Sequence, residues 1–262
     1  MKIPLYQVDA FTDRPFAGNP AAVCPLPRWL PDVTMQAIAA ENNLAETAFF
    51  VPDADAYALR WFTPVQEVEL CGHATLASGL VVFRFLQPDA RTVRFRSPHS
   101  GLLSVDRDGD LLVLDFPARP PQPCAPPPEL AEALGQTPRA VFQDRDYLAV
   151  FEREEDVRAL RPDRNGLLRL PLQGVVATAP GRDCDFVSRY FVPSAGIDED
   201  PVTGSTHCML APYWSSRLGR ARLHARQVSA RGGDLYCELR GERVRIGGRA
   251  VLVIEGQLAL PD

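Results

Sequence analysis

The feature that most restricts this chain is a repeat. Arg60-Trp61-Phe62-Thr63-Pro64 returns about half a chain-length later as Arg189-Tyr190-Phe191-Val192-Pro193. Each copy is followed by an acidic stretch, then a glycine, then small residues that suit a helix start. The first reads Glu67-Val68-Glu69-Leu70-Cys71-Gly72-His73-Ala74-Thr75 and the second Asp198-Glu199-Asp200-Pro201-Val202-Thr203-Gly204-Ser205-Thr206. Chance gives a single five-residue match more readily than a match with the same downstream grammar. The repeat therefore predicts two similar halves that face each other across a cleft. A length of 262 residues suits one or two domains, and 46% hydrophobic residues suffice for a large core.

The run Phe116 to Pro128 reads F-P-A-R-P-P-Q-P-C-A-P-P-P. It cannot continue a helix or a central strand, and it favours extended geometry. It reads as a linker between the halves; the other reading is a long surface loop within one domain. Strand patterns precede it at Leu5–Phe11, Ala48–Val51, Tyr57–Phe62, Thr92–Phe95, Leu102–Asp106 and Leu111–Phe116. Strand patterns follow at Tyr147–Phe151, Gly174–Thr178, Phe186–Phe191 and Asp234–Leu239. Thr34–Glu41, with Thr34 as a cap, Thr75–Leu86 and His207–Arg217 read as helices.

Composition removes several classes of function. Net charge is −5 and pI about 5.5, which disfavours binding to nucleic acid or an anionic membrane. No apolar stretch is long enough to span a bilayer, and Met1–Ala10 lacks a signal-peptide pattern, so the chain reads as cytosolic. Its six cysteines form no C-x-x-C pair, which disfavours a zinc knuckle. No G-x-G-x-x-G or Walker-type loop points to a nucleotide.

Chemistry concentrates at the two glycine turns. A helix start presents backbone N–H groups and the positive end of the helix dipole, so Gly72 and Gly204 suit a small anion such as a substrate carboxylate. His73 and Ser205 stand at the first exposed positions; their plainer readings are a core histidine and an N-cap. Glu46, in Asn43-Leu44-Ala45-Glu46-Thr47, enters an apolar strand. A carboxylate there is costly unless it is paired or used, and an apolar pocket would suit it to proton transfer; alone it also reads as a capping or solvent-facing residue. Cys71 lies beside a helix start, which lowers a thiol's pKa; otherwise it is a small buried apolar group. Asp200 reads as a carboxylate answering the helix dipole, and Cys208 as core.

These residues carry a resemblance. Asp9-Ala10-Phe11-Thr12, Phe16-Ala17-Gly18-Asn19-Pro20, Asn43 to Thr47, Arg60 to Pro64, Leu70 to Thr75, Asp200 to Ser205 and Gly247 to Val251 occur in the order found in the PhzF family of phenazine-biosynthesis-like proteins, which is related in fold to diaminopimelate epimerase. The resemblance implies an α/β (α+β) fold of two barrel-like lobes, each a mixed sheet around a central helix, with the active site in the cleft. The lobes would be 1–117 and 118–262, a division that leaves open the return of a C-terminal strand to the first lobe. It implies a cofactor-free isomerase, free of metal and usually a homodimer. That enzyme would move a proton between carbons of a small carboxylic acid, with no nucleic-acid or membrane partner. Glu46 would be the acid/base, with His73, Asp200 and Ser205 as polar partners. Asn19, Gly72, Ala74, Thr75, Gly204 and Thr206 would bind substrate. Cys71 stands where the related epimerases carry their first catalytic cysteine, which keeps a cysteine-assisted epimerase or racemase as the rival; a non-enzymatic binding protein is the second. Arg226 to Gly233 departs from the segment expected of the phenazine enzyme, so no phenazine substrate is implied.

Overall fold

A computed structural model describes residues 1–260. The chain divides into two compact units, one of Met1–Asp115 together with the segment from Gly247 onward, the other Phe116–Ile246. The elements of the first unit begin with β1 (Lys2–Ala10), β2 (Asn19–Pro25), α1 (Asp32–Asn42), β3 (Glu46–Asp53), β4 (Ala56–Phe62) and β5 (Glu67–Val68). They continue through α2 (Gly72–Val81), β6 (Thr92–Ser97), β7 (Gly101–Asp108) and β8 (Leu111–Pro117). The second unit holds β9 (Gln122–Pro123), α3 (Leu130–Leu134), β10 (Ala140–Gln143), β11 (Tyr147–Val150), α4 (Glu154–Ala159), α5 (Arg164–Leu168), β12 (Val175–Pro180) and β13 (Phe186–Phe191). After these come β14 (Glu199–Asp200), α6 (His207–Leu218), β15 (Arg222–Gln227), β16 (Gly233–Arg240) and β17 (Arg243–Gly248), and β18 (Ala250–Ala259) closes the chain.

The repeat extends to the strand pairing. In the first unit β1–β2 is antiparallel, β2–β3 parallel, β3–β4 antiparallel, β4–β5 antiparallel, β4–β6 parallel and β6–β7 antiparallel. In the second unit the same series runs β10–β11, β11–β12, β12–β13, β13–β14, β13–β15 and β15–β16. The fold is thus α+β, with one mixed-sheet design used twice.

Each unit has a helix buried along most of its length, as a central helix must be. Nearly every residue of α2 is buried, and it packs on β1, β2, β3, β7 and β18. Gly79 lets it approach β7: a Cβ there would lie 2.7 Å from the Val105 side chain. In α6, His207 through Ser215 are all buried. This helix contains Pro212, which has no N–H to give to the Cys208 carbonyl. Arg119 N–H donates to that carbonyl instead at 2.8 Å, so the lost helical bond is replaced from outside the helix. The α1 helix covers its sheet with Met35, Ile38 and Ala39, packed among Cys24, Phe49 and Phe62. Among the described residues no helix is long and apolar enough to cross a membrane.

Several expectations need correction. The first unit ends at Asp115, and the second ends at Ile246 rather than at the chain terminus. Residues from Gly247 return to the first unit, where β18 pairs with β1 from Lys2↔Ala259 to Ala10↔Ala250. The Pro-rich run does start at the border, but it is not all linker, because Gln122 and Pro123 pair with β10. The second crossing carries no Pro-rich signal. Thr34 is no cap: α1 begins at Asp32 after Pro31, whose carbonyl accepts the Thr34 N–H. The helix expected to reach Leu86 ends at Val81 and passes into one π turn, Val82–Leu86. At the second turn, Gly204–Thr206 form a lead-in, and α6 proper starts at His207.

Candidate active site

Parallel pairing of β2 with β3 puts Glu46, the first residue of β3, in register with Ala21 and two residues along from Asn19. The α2 helix starts beside them. Glu46 Oε2 lies 3.2 Å from His73 Nε2, at contact distance but off the line of a hydrogen bond. Asn19 Nδ2 lies 3.1 Å from His73 Nδ1. An amide nitrogen only donates, so Nδ1 accepts and the ring proton belongs on Nε2, the nitrogen facing Glu46. Burial pushes the imidazole's pKa down to about 3, and the Pro20 carbonyl only partly offsets this. At neutral pH the imidazole beside Glu46 is therefore neutral.

Cys71 is the extended residue before α2, and its Sγ lies 3.4 Å from His73 Nδ1. Thiol, imidazole and carboxylate donor atoms lie within 4.8 Å of one another, close enough to suggest a metal site. Yet Cys71 and Glu46 address opposite nitrogens of the ring, so one ion would not meet all three without a side chain moving. The helix start itself is uncapped by any side chain, which suits it to an anion.

Some expected ligand groups are spent within the fold. Thr75 gives both donors to the Cys71 carbonyl, Oγ1 at 2.6 Å and N at 3.1 Å, so it shapes the turn and has no donor left for substrate. Asn19 is fully buried and serves His73. Gly72 and Ala74 are buried in the first turn of α2.

In the second unit Asp200 lies on β14 opposite Tyr190 and is nearly buried. Its Oδ2 accepts a short hydrogen bond from Thr203 Oγ1. Ser205 is exposed, whereas Thr206 is buried and gives its hydroxyl to the Thr203 carbonyl at 2.9 Å. Gly204 is buried, and its carbonyl accepts the His207 N–H at 3.0 Å. His207 Nδ1 lies 2.8 Å from the Thr203 carbonyl, and burial lowers that histidine's pKa to about 4. Cys208 is core as expected, with its thiol pushed up to about 12 by burial.

Sequence reading missed the supports of both turns. Arg60 grips Glu67 through Nε and Nη2 at 2.7 and 2.6 Å, and Arg189 grips Glu199 the same way at 2.8 and 2.8 Å. Both arginines open the repeat and both glutamates stand five residues before the glycine. The signal was present as an Arg and a Glu shared by the two copies. Gln227 and Thr203, which brace Asp200, left no such mark.

The sequence profile of the phenazine biosynthesis-like protein family (PhzC-PhzF) matches residues 8–256. An uncharacterized isomerase of Pseudomonas aeruginosa is 54% identical over 260 residues, covering 99% of this chain and all of that protein. A crystal structure of a PhzF-family phenazine biosynthesis protein from Enterococcus faecalis superposes with a TM-score of 0.97 at 48% identity, covering 99% of this chain and 100% of that one. The fold alone is shared with a hydroxyproline epimerase of Agrobacterium vitis, at a TM-score of 0.63 and 13% identity, covering 100% of this chain and 93% of that one. The chain belongs to the phenazine biosynthesis-like, PhzC-PhzF family.

Proposed function

We propose that this protein is an isomerase that moves a proton between carbons of a small carboxylic acid, with Glu46 as the acid/base. The observation that carries the reading is the contact between Glu46 and His73, a carboxylate set 3.2 Å from a buried, neutral imidazole. In this reading Glu46 takes the proton from a carbon made acidic by a conjugated or carboxylated neighbour. His73, oriented by Asn19, offers its Nε2 proton beside the carboxylate. The uncapped first turn of α2 holds the substrate's negative charge. Asp200 and Ser205 are further polar partners of the same reaction. Positioned proton transfer of this kind contributes about 10²–10⁴-fold. The isomerase reading is supported by the name of the P. aeruginosa relative.

The test is incubation with a panel of small carboxylic acids in D₂O, read by mass spectrometry. Wild-type protein should label at least one acid, and Glu46→Gln should lower that labelling about 10²-fold or more while keeping the fold. Undiminished labelling by Glu46→Gln removes the assignment.

A second reading, epimerisation assisted by Cys71, is favoured by the 3.4 Å approach of its sulfur to His73. Thiol alkylation separates the two: it should abolish a cysteine reaction, whereas Cys71→Ala should keep a glutamate one.

A further inference from the structure

We propose that Gln227 and Thr203 are positioning residues that fix the Asp200 carboxylate as an ionised, singly oriented acceptor. The proposal rests on Asp200 being a polar partner in the reaction above. Gln227 ends β15 and is fully buried. Its Oε1 accepts the Thr203 N–H at 2.9 Å. Its Nε2 donates to the Asp200 carbonyl at 2.8 Å and to Thr203 Oγ1 at 3.2 Å. The amide has one workable orientation, because turning it over would set its oxygen against the Asp200 carbonyl and its NH₂ against an N–H.

The fixed amide sets the direction of the remaining hydrogen bonds. Thr203 Oγ1 receives a proton from Gln227, so its own single proton goes to Asp200 Oδ2. The chain therefore runs one way, from amide to hydroxyl to carboxylate. A hydroxyl that donates to Oδ2 favours the ionised carboxylate and holds one rotamer. The backbone beneath is braced as well: Ser229 Oγ donates to the Pro201 carbonyl at 2.7 Å and accepts the Gly232 N–H at 3.1 Å. Thr203 precedes Gly204 as Cys71 precedes Gly72. Where the first turn presents a thiol, the second presents a hydroxyl already committed to a carboxylate. Asp200, rather than Thr203, thus carries the second turn's chemistry.

The test is proton and carbon NMR on the ligand-free protein at pH 7, with threonine and aspartate labelled. The Thr203 hydroxyl proton should be observable and exchange at least about tenfold more slowly than those of exposed threonines, as a buried charge-assisted bond requires. Gln227→Met should restore fast exchange. Thr203→Val should move the Asp200 carboxyl carbon shift, and Thr203→Ser should return it. A Thr203 hydroxyl that exchanges in the wild type as fast as exposed ones overturns the proposal, even if a variant fails to fold. So does an unmoved Asp200 signal in folded Thr203→Val. In the D₂O assay Thr203→Val should label the wild type's acid about tenfold more slowly, the worth of one hydrogen bond to a charge, with Thr203→Ser near wild type. Labelling by Thr203→Val at the wild-type rate counts against a positioning role. Absence of any labelled acid for the wild type would sink the proposed reaction, whereas the hydroxyl exchange rate and the Asp200 shift would still decide whether the brace exists.

Discussion

The two glycine turns are built alike and equipped differently. Each follows an Arg–Glu clamp, Arg60 with Glu67 and Arg189 with Glu199. Each is closed by a side chain at the third position after the glycine, Thr75 on the Cys71 carbonyl and His207 on the Thr203 carbonyl. The functional groups then diverge. Phe62 pairs with Thr47 in one half and Phe191 with Val175 in the other, so Glu46 and Gly174 occupy equivalent places. A Cβ at Gly174 would lie 2.7 Å from the Tyr190 ring, so the second half has no room for a carboxylate there. Its acidic group stands instead on the short strand, at Asp200, where the first half has Val68. The two halves share a frame and differ in which position has room for a charge.

Breaking the clamps gives the largest expected effect. Arg189 also donates to the Val157 and Leu160 carbonyls at 3.2 and 2.9 Å, whereas the other partner of Arg60 is the exposed Asp32. Arg189→Ala should therefore cost about 3 kcal/mol, within the range for breaking a buried pair, and Arg60→Ala about 2. Urea unfolding checks this, and equal losses would show that the clamps are equivalent after all.

Acid sharpens the comparison next. His73 and His207 are both depressed, to about 3 and about 4. The unfolded chain takes up a proton at each near pH 6.5, and the folded chain refuses it. Stability is thus complete above about pH 6.5 and falls as pH drops toward 4, by up to about 1.4 kcal/mol per pH unit for each histidine. Melting temperature followed from pH 7 to pH 5 should decline, and less steeply in His207→Gln.

Removing the closing hydroxyl in Thr75→Val should cost about 1 kcal/mol, one neutral hydrogen bond, read in the same unfolding assay. The smallest effect concerns strain. Among the described residues every non-glycine with positive φ lies in the first unit, namely Phe11, Phe16, Asn43 and Ala54. Phe16 has φ 67° and is 79% exposed. Phe16→Gly should stabilise by up to about 1 kcal/mol, since glycine adopts this backbone freely. A loss of stability would mean that the ring packs on something.

Much of this was legible because the repeat writes itself into sequence. Arg, aromatic, Phe and Pro recur at the same spacing before each turn, and from them two similar halves follow; the sheet around a central helix came from the family resemblance. Glu46 and His73 were legible as polar groups in apolar settings. The Asp200 brace was not, because Gln227 lies 24 residues from Thr203, and they meet through β14 and β15 both pairing with β13. Thr75 was named a ligand through the resemblance, and a sequence shows that a donor exists but not what has already claimed it. The return to the first unit after Ile246 was left open by the resemblance alone, because strand pairing between distant segments has no local composition.

That return has a consequence for synthesis. The Met1 amino group donates to the Leu260 carbonyl at 2.8 Å, and β1 lies between β2 and β18. On the ribosome, β1 is made before the second unit and β18 after it, so one edge of β1 waits for its partner until that whole unit has been made. The second unit is one uninterrupted stretch, Phe116–Ile246, and can complete itself while the first still lacks a strand. Translation thus imposes an order the repeat does not: the half encoded first is the half finished last.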